Sequence, residues 1–224
     1  MYTSLFLDID NTLLDFTKAE AVAVRKVLQS YALPCDDNAV KTYSEINRQY
    51  WERFERGEIP KSDIFEGRFK TFLEFYGEER NTAEISRDYC ANLSEGYFKV
   101  EYAEEILKYL KEKGYKLYAT TNGLSSTQFK RIKNSGIEPF FDRIFVSEEI
   151  GHQKPEKEYF DYVIENISEK DKSKMLIVGD SQSSDILGGL NSGIDTCWYN
   201  PSKFEPKFSS KFTISSLLEL KNLL

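Results

Sequence analysis

Histidine is almost missing from this chain: its 224 residues include one, His152. Schemes built on a histidine base have that single candidate, and no Ser or Cys stands in a nucleophile-elbow motif. Cysteine is scarce too. Cys35, Cys90 and Cys197 are widely separated and odd in number. They offer neither a zinc-ligand spacing nor a disulfide framework, and suit free thiols in a reducing compartment. No apolar run approaches the roughly 20 residues of a membrane span. The N-terminal stretch lacks the basic region, long apolar segment and small-residue cleavage site of a signal peptide. A cytoplasmic location without a membrane partner is therefore expected. Positive charge is in deficit as well, with 30 Lys and Arg against 37 Asp and Glu, a net charge of -7. That argues against a general nucleic-acid surface, which needs a basic excess. A small anionic substrate stays open, because a metal ion and one lysine can reverse the sign locally.

What the chain does contain is alternation. Short β-rich runs recur at Ser4-Leu5-Phe6-Leu7, at 116–121, 143–147, 175–178 and 196–199. Several are continuously apolar, as strands covered on both faces are. Amphipathic helices lie between them. Ala103, Ile106, Leu107 and Leu110 share one helical face before Gly114, and Phe160, Val163, Ile164 and Ile167 repeat the spacing after Pro155. Strand–helix alternation predicts an α/β fold with a Rossmann-like, doubly wound parallel sheet. From about Phe16 to Phe98 the alternation stops and only helical patterns appear, broken at Pro34, Gly57-Glu58-Ile59-Pro60 and Gly77. The expected organisation is an α/β core of residues 1–15 and 99–224 with a helical insert of residues 16–98. A Thr17–Glu20 capping box is expected to open the insert.

Four segments carry chemistry, each at a predicted carboxyl end of a strand, where open α/β sheets place ligands. In Asp8-Ile9-Asp10-Asn11-Thr12, two carboxylates two residues apart in extended chain point the same way, with Cα atoms about 7 Å apart. Ionising both is costly unless a cation shares them. Thr120-Thr121-Asn122-Gly123 leads into a helix that Ser125 and Gln128 can cap; hydroxyls and free backbone N–H groups at a helix start suit a phosphate. Lys154, in Gly151-His152-Gln153-Lys154-Pro155, can reach the strand ends. Gly179-Asp180-Ser181-Gln182-Ser183-Ser184-Asp185 adds two carboxylates, the hard oxygen ligands magnesium prefers. Taken singly, each segment also fits a capped turn or a solvated surface side chain; together they supply a nucleophile, an acid/base, a hydroxyl, a cation and metal ligands.

In this order the four segments resemble the motifs of the haloacid dehalogenase superfamily of phosphohydrolases, and the inserted helices resemble that family's helical cap (type C1). A narrower likeness, carried by Asp10 to Phe16, Thr121-Asn122-Gly123, Ser147 to Gly151 and Thr196 to Asn200, is to the pyrimidine 5′-nucleotidase branch. The resemblance implies Mg²⁺, with Mn²⁺ as a substitute, held by Asp8, the Asp10 backbone carbonyl and Asp180, with Asp185 binding through water or supporting Asp180. It implies Asp8 as nucleophile, Asp10 as acid/base, Thr121, Asn122 and Gly123 at the phosphoryl oxygens, and Lys154 as the neutralising cation. Thr12 would order the turn that carries Asp10. A nucleoside monophosphate, including non-canonical pyrimidine forms, is the implied substrate. Asn47, Trp51, Arg56 and Arg68 of the insert are candidates to read its base or sugar. The protein is expected to be a monomer or homodimer.

Other readings share these parts. A sugar-phosphate phosphatase or a β-phosphoglucomutase-like mutase keeps every motif. A phosphonatase needs a reactive cap lysine, for which Lys61 and Lys70 are available without a special signature. A signalling receiver domain also has an acceptor aspartate, a threonine and a lysine, but not the DxD spacing followed by a long helical insertion. An inactive interaction protein of this fold would have lost a motif residue, and none is lost. His152 is assigned no catalytic step.

Overall fold

The computed structural model describes all 224 residues. By contact it divides into two compact units, Met1–Asp15 with Tyr97–Leu224, and Phe16–Gly96. The chain begins with β1 (Ser4–Leu7) and then leaves the first unit for four helices: α1 (Phe16–Ser30), α2 (Asp37–Glu55), α3 (Lys61–Tyr76) and α4 (Thr82–Leu93). It returns to make α5 (Ala103–Glu112), β2 (Lys116–Thr121), α6 (Ser125–Asn134), β3 (Arg143–Val146) and α7 (Ser147–Ile150). After these come α8 (Lys157–Glu165), β4 (Met175–Gly179), α9 (Leu187–Ser192), β5 (Asp195–Tyr199), β6 (Phe212–Ile214) and α10 (Leu220–Leu223).

All five strand pairings are parallel, and the six strands run in the order β3-β2-β1-β4-β5-β6. The sheet is thus α/β and doubly wound. β1 lies between β2 and β4, with Leu7 opposite both Ala119 and Val178. Side chains alternate across a strand, and the two sheet faces are correspondingly distinct. Leu5, Leu7, Leu117, Ala119, Leu176 and Val178 join the buried face of α5 in one cluster. Phe6, Tyr118, Met175 and Ile177 pack with Tyr159, Phe160, Val163 and Ile164 of α8 in the other. β6 was not expected: three residues, Phe-Thr-Ile, among exposed Ser and Lys carry too short a pattern to register as a strand.

In the second unit α1 packs on α4 and α2 on α3. The Asp36 side chain accepts from Ala39 N at the start of α2, and Asn81 accepts from Ala83 N and Glu84 N at the start of α4, satisfying donors that a helix N-terminus leaves open. Gly77, at φ 67°, ends α3 in the left-handed conformation that glycine adopts without strain. The apolar stripes become core: Tyr43, Phe69 and Tyr89 are fully buried, with ring centroids 4.9–5.5 Å apart. No helix is long and apolar enough to cross a membrane.

Candidate active site

Asp8 is the first residue beyond β1, and its N–H donates to Val178 O at 2.9 Å. The carboxylate is thereby held at the end of the central strand, where it is only 6% exposed. Lys154 comes from the segment between α7 and α8 and is 1% exposed. Its ammonium donates to Asp8 Oδ1 at 2.6 Å, Asp185 Oδ1 at 2.7 Å and Thr120 O at 3.0 Å, one acceptor for each of its three protons. The segment is fixed by Asn122, whose Nδ2 donates to Lys154 O at 2.8 Å while Lys154 N donates to Asn122 Oδ1 at 2.9 Å. The Asn122 side chain thus anchors the lysine. Pro155 precedes α8, and the Lys154–Pro155 bond is cis.

Thr12 joins two of the acidic segments. Its hydroxyl accepts from Asp180 N at 3.0 Å, and its single proton faces Asp8 Oδ2 at 3.0 Å and Asp180 Oδ1 at 3.4 Å. The expected role in the turn of Asp10 is therefore enlarged: Thr12 cross-links the ends of β1 and β4. Trp198 of β5 donates its indole N–H to Asp180 O at 2.8 Å. Asp185, fully buried, accepts from Ser181 N at 3.1 Å as well as from Lys154. A methyl on Gly179 would meet Asp185 Oδ2 at 2.1 Å, so the strand end needs glycine to admit that carboxylate.

The structure corrects the sequence at α6. A capping role was expected for Ser125 and Gln128, but the N-cap position is Leu124, which makes no side-chain capping bond. Ser125 N is taken instead by Glu148 Oε2 at 2.7 Å. Gln128 turns inward and donates Nε2–H to Asp10 Oδ2 and, at 2.9 Å, to Thr121 Oγ1. Arg131, one turn on and fully buried, ion-pairs with Asp10 Oδ1 and donates to Gln128 Oε1 at 3.2 Å. Sequence reasoning missed Arg131 and misassigned Gln128. The signal was there, because Gln128, Arg131, Ile132 and Ser135 occupy the 0, 3, 4, 7 positions of a buried helical face; three polar members hid it from a search for apolar periodicity.

The electrostatics are those of a crowded acidic site. Carboxylate oxygens of Asp8, Asp180 and Asp185 all lie within 4.8 Å of one another. Burial, opposed by Lys154 and reinforced by Asp185, pushes the Asp8 carboxyl up to about 7. Burial, then Asp8 and Asp185, push Asp180 well above the ordinary carboxylate range. Burial alone would lower Lys154; Asp185 and Asp8 beside it outweigh that and hold it above its usual value. Counting Asp10 and Arg131, four carboxylates face two cations. Closely grouped hard oxygens with too little positive charge are what a divalent cation of the magnesium type requires, so the residues present fit one.

The candidates in the helical unit divide into two kinds. Asn47 and Arg68 are each 2% exposed and bonded together: Arg68 Nη1 donates to Asn47 Oδ1 at 2.9 Å, and Asn47 Nδ2 to Glu20 Oε1 at 2.6 Å. The Arg68 guanidinium also stacks 4.5 Å from the Tyr89 ring centroid. Trp51 is half-buried against Phe54, and Arg56 is exposed and ion-paired with Glu58. His152 is exposed, with Nδ1 3.2 Å from Glu156 Oε2.

A family model described as haloacid dehalogenase-like hydrolase matches residues 5–199. The HAD-hydrolase YfnB of Bacillus subtilis is 39% identical over all of this chain and 95% of its own length. Its magnesium-bound crystal structure superposes with a TM-score of 0.94, covering 100% of this chain and 98% of that one. Pyrimidine 5′-nucleotidase PynA of Streptococcus pneumoniae is 36% identical, covering 91% of this chain and 86% of the relative. Pyrimidine 5′-nucleotidase YjjG of Escherichia coli is 31% identical, covering 98% and 96%. With the family's fold, the match over nearly the whole core and relatives of this identity, the chain belongs to the haloacid dehalogenase-like hydrolases.

Proposed function

We propose that this hydrolase is a magnesium-dependent phosphatase that cleaves nucleoside 5′-monophosphates, pyrimidine forms first, through a phosphorylated Asp8. The observation that carries the reading is the buried Asp8 carboxylate at the central strand end, bonded to Lys154 and Thr12 and adjoined by Asp180 and Asp185. Asp8 and Asp180, with the Asp10 backbone carbonyl, would hold the cation, and Asp185 would steady Lys154 beside them. Bound there, Mg²⁺ supplies charge neutralisation for Asp8 and the phosphoryl oxygens.

The protein's own groups do the rest. An Asp8 oxygen attacks phosphorus, the ester bond opposite breaks, and a mixed anhydride forms. Lys154 neutralises the attacking carboxylate and the equatorial oxygens, while Thr121 and the backbone beside Asn122 take phosphoryl oxygens. Asp10 gives a proton to the departing 5′-oxygen, then removes one from the water that opens the anhydride and frees phosphate. We assign recognition of the base to the helical unit, with Trp51 and Arg56, whose side chains keep solvent access; Asn47 and Arg68 are engaged with one another there. The specificity rests on the two pyrimidine 5′-nucleotidase relatives.

A phosphate-release screen over nucleoside monophosphates and sugar phosphates with Mg²⁺ tests the reading. Uridine and thymidine monophosphates should lead, chelation should silence turnover, and Asp8→Asn should abolish it in a folded protein. A preference for hexose phosphates would move the protein to a sugar-phosphate phosphatase, and full activity in Asp8→Asn would remove the nucleophile.

A further inference from the structure

We propose that Gln128 and Arg131 of α6 are positioning residues that lock the acid/base and the phosphoryl-holding hydroxyl into one unit. The inference rests on the phosphatase reading, and its test separates the two.

Arg131 can only donate, so the Gln128 Oε1 it contacts at 3.2 Å is the amide oxygen, and the amide orientation is fixed. Gln128 therefore presents Nε2–H to both Asp10 Oδ2 and Thr121 Oγ1. Thr121 Oγ1 also accepts from Gly123 N at 3.2 Å. A hydroxyl has two lone pairs and one proton. With both lone pairs used, Thr121 is left to donate, which is the role an anionic phosphoryl oxygen needs.

The same pair grips Asp10 on both oxygens, Arg131 at Oδ1 and Gln128 at Oδ2. Each carboxylate oxygen has a second lone pair, so the grip sets the plane of the group and still leaves a place for the transferred proton. Gln128 is 1% exposed and Arg131 0%, so neither serves solubility, and burying a guanidinium is costly unless it is paired. Gly123 belongs to the arrangement: a methyl there would lie 2.3 Å from Gln128 Nε2 and 2.6 Å from its Cγ, displacing the whole amide.

Leaving-group dependence is the readout, since misplacing the acid hurts a poor leaving group far more than one that departs unprotonated. With Mg²⁺ present, kcat/KM is measured for uridine 5′-monophosphate and for p-nitrophenyl phosphate in wild type, Arg131→Met and Gly123→Ala. In Arg131→Met the uridine monophosphate value should fall at least about tenfold further than the p-nitrophenyl value. Gly123→Ala, which shifts Gln128 while keeping the buried charge pair, should lower both values, uridine monophosphate further; it covers the case in which Arg131→Met does not fold. Equal losses on both substrates, or no loss, in either folded variant would overturn the positioning role. A wild type that releases phosphate from neither substrate would instead sink the phosphatase reading.

Discussion

Lys154 illustrates how much one side chain can carry. It is a buried ammonium with three acceptors, two of them carboxylates. Removing one partner from a buried ion pair typically costs 3–5 kcal/mol, because the remaining charge is left uncompensated. Lys154→Met should therefore lower unfolding free energy by about 3 kcal/mol or more in the absence of metal, read by urea denaturation, and abolish turnover. Added Mg²⁺ should recover part of the stability and none of the activity. An unchanged denaturation midpoint would mean that the three contacts contribute little. Lys154, Asp8, Asp10 and Asp180 were legible only as a set, four segments at predicted strand ends in one order, since singly each also fits a turn or a surface side chain. Arg131 was not, since an arginine amid Lys130 and Lys133 looks like a solvated face until the fold buries it.

At the scale of elements, the site is built by strand ends and tuned by the loops between them. Asn122 joins the end of β2 to the Lys154 segment by a reciprocal pair of amide bonds, 2.8 and 2.9 Å. Asn122→Ala would leave a peptide N–H and a C=O of that segment without partners. A loss of about 1–3 kcal/mol is expected, with a drop in kcat as the ammonium wanders from Asp8; a thermal melt and a steady-state assay check both. The five longer strands and the helical stripes of α5 and α8 were legible because apolar spacing decides them. β6 and the inward face of α6 were not: β6 is held by pairing with β5 across Cys197–Tyr199, and the α6 face by polar partners distant in sequence. Both depend on tertiary contacts that no local window contains.

For the molecule as a whole, the buried acidic cluster ties stability to pH. Asp8 is raised to about 7 from 3.8, so between those values the folded chain binds more protons than the unfolded one. Stability then falls as pH rises through this window, the opposite slope to that of a salt-bridged carboxylate. Asp142, by contrast, sits low: burial opposes its charge, but Lys111, the Leu117 N–H and Lys116 outweigh it. Its contribution is present at neutral pH and lost in acid, below this window. In chelator the melting temperature should decline from pH 5 to pH 7, and Asp8→Asn should flatten that decline. Saturating Mg²⁺ should raise the pH 7 value by several degrees, since a ligand that binds only the folded state stabilises it by mass action. A flat profile in chelator, matching the variant, would show that burial does not raise Asp8 and that the folded chain takes up no extra proton there.

The chain leaves the core unit after Asp15 and returns at Tyr97. On the core side the outgoing and incoming strands of chain are stitched together: Asp15 N to Phe98 O at 2.8 Å, Val100 N to Leu13 O at 3.0 Å, and a bridge between Leu14 and Lys99. Exit and return therefore share one doorway. An excursion that starts and finishes at neighbouring backbone groups asks nothing of the sheet, whatever its length or internal architecture. The helical excursion could be exchanged for another while the sheet's register stayed untouched, much as a tool head is changed on a fixed handle.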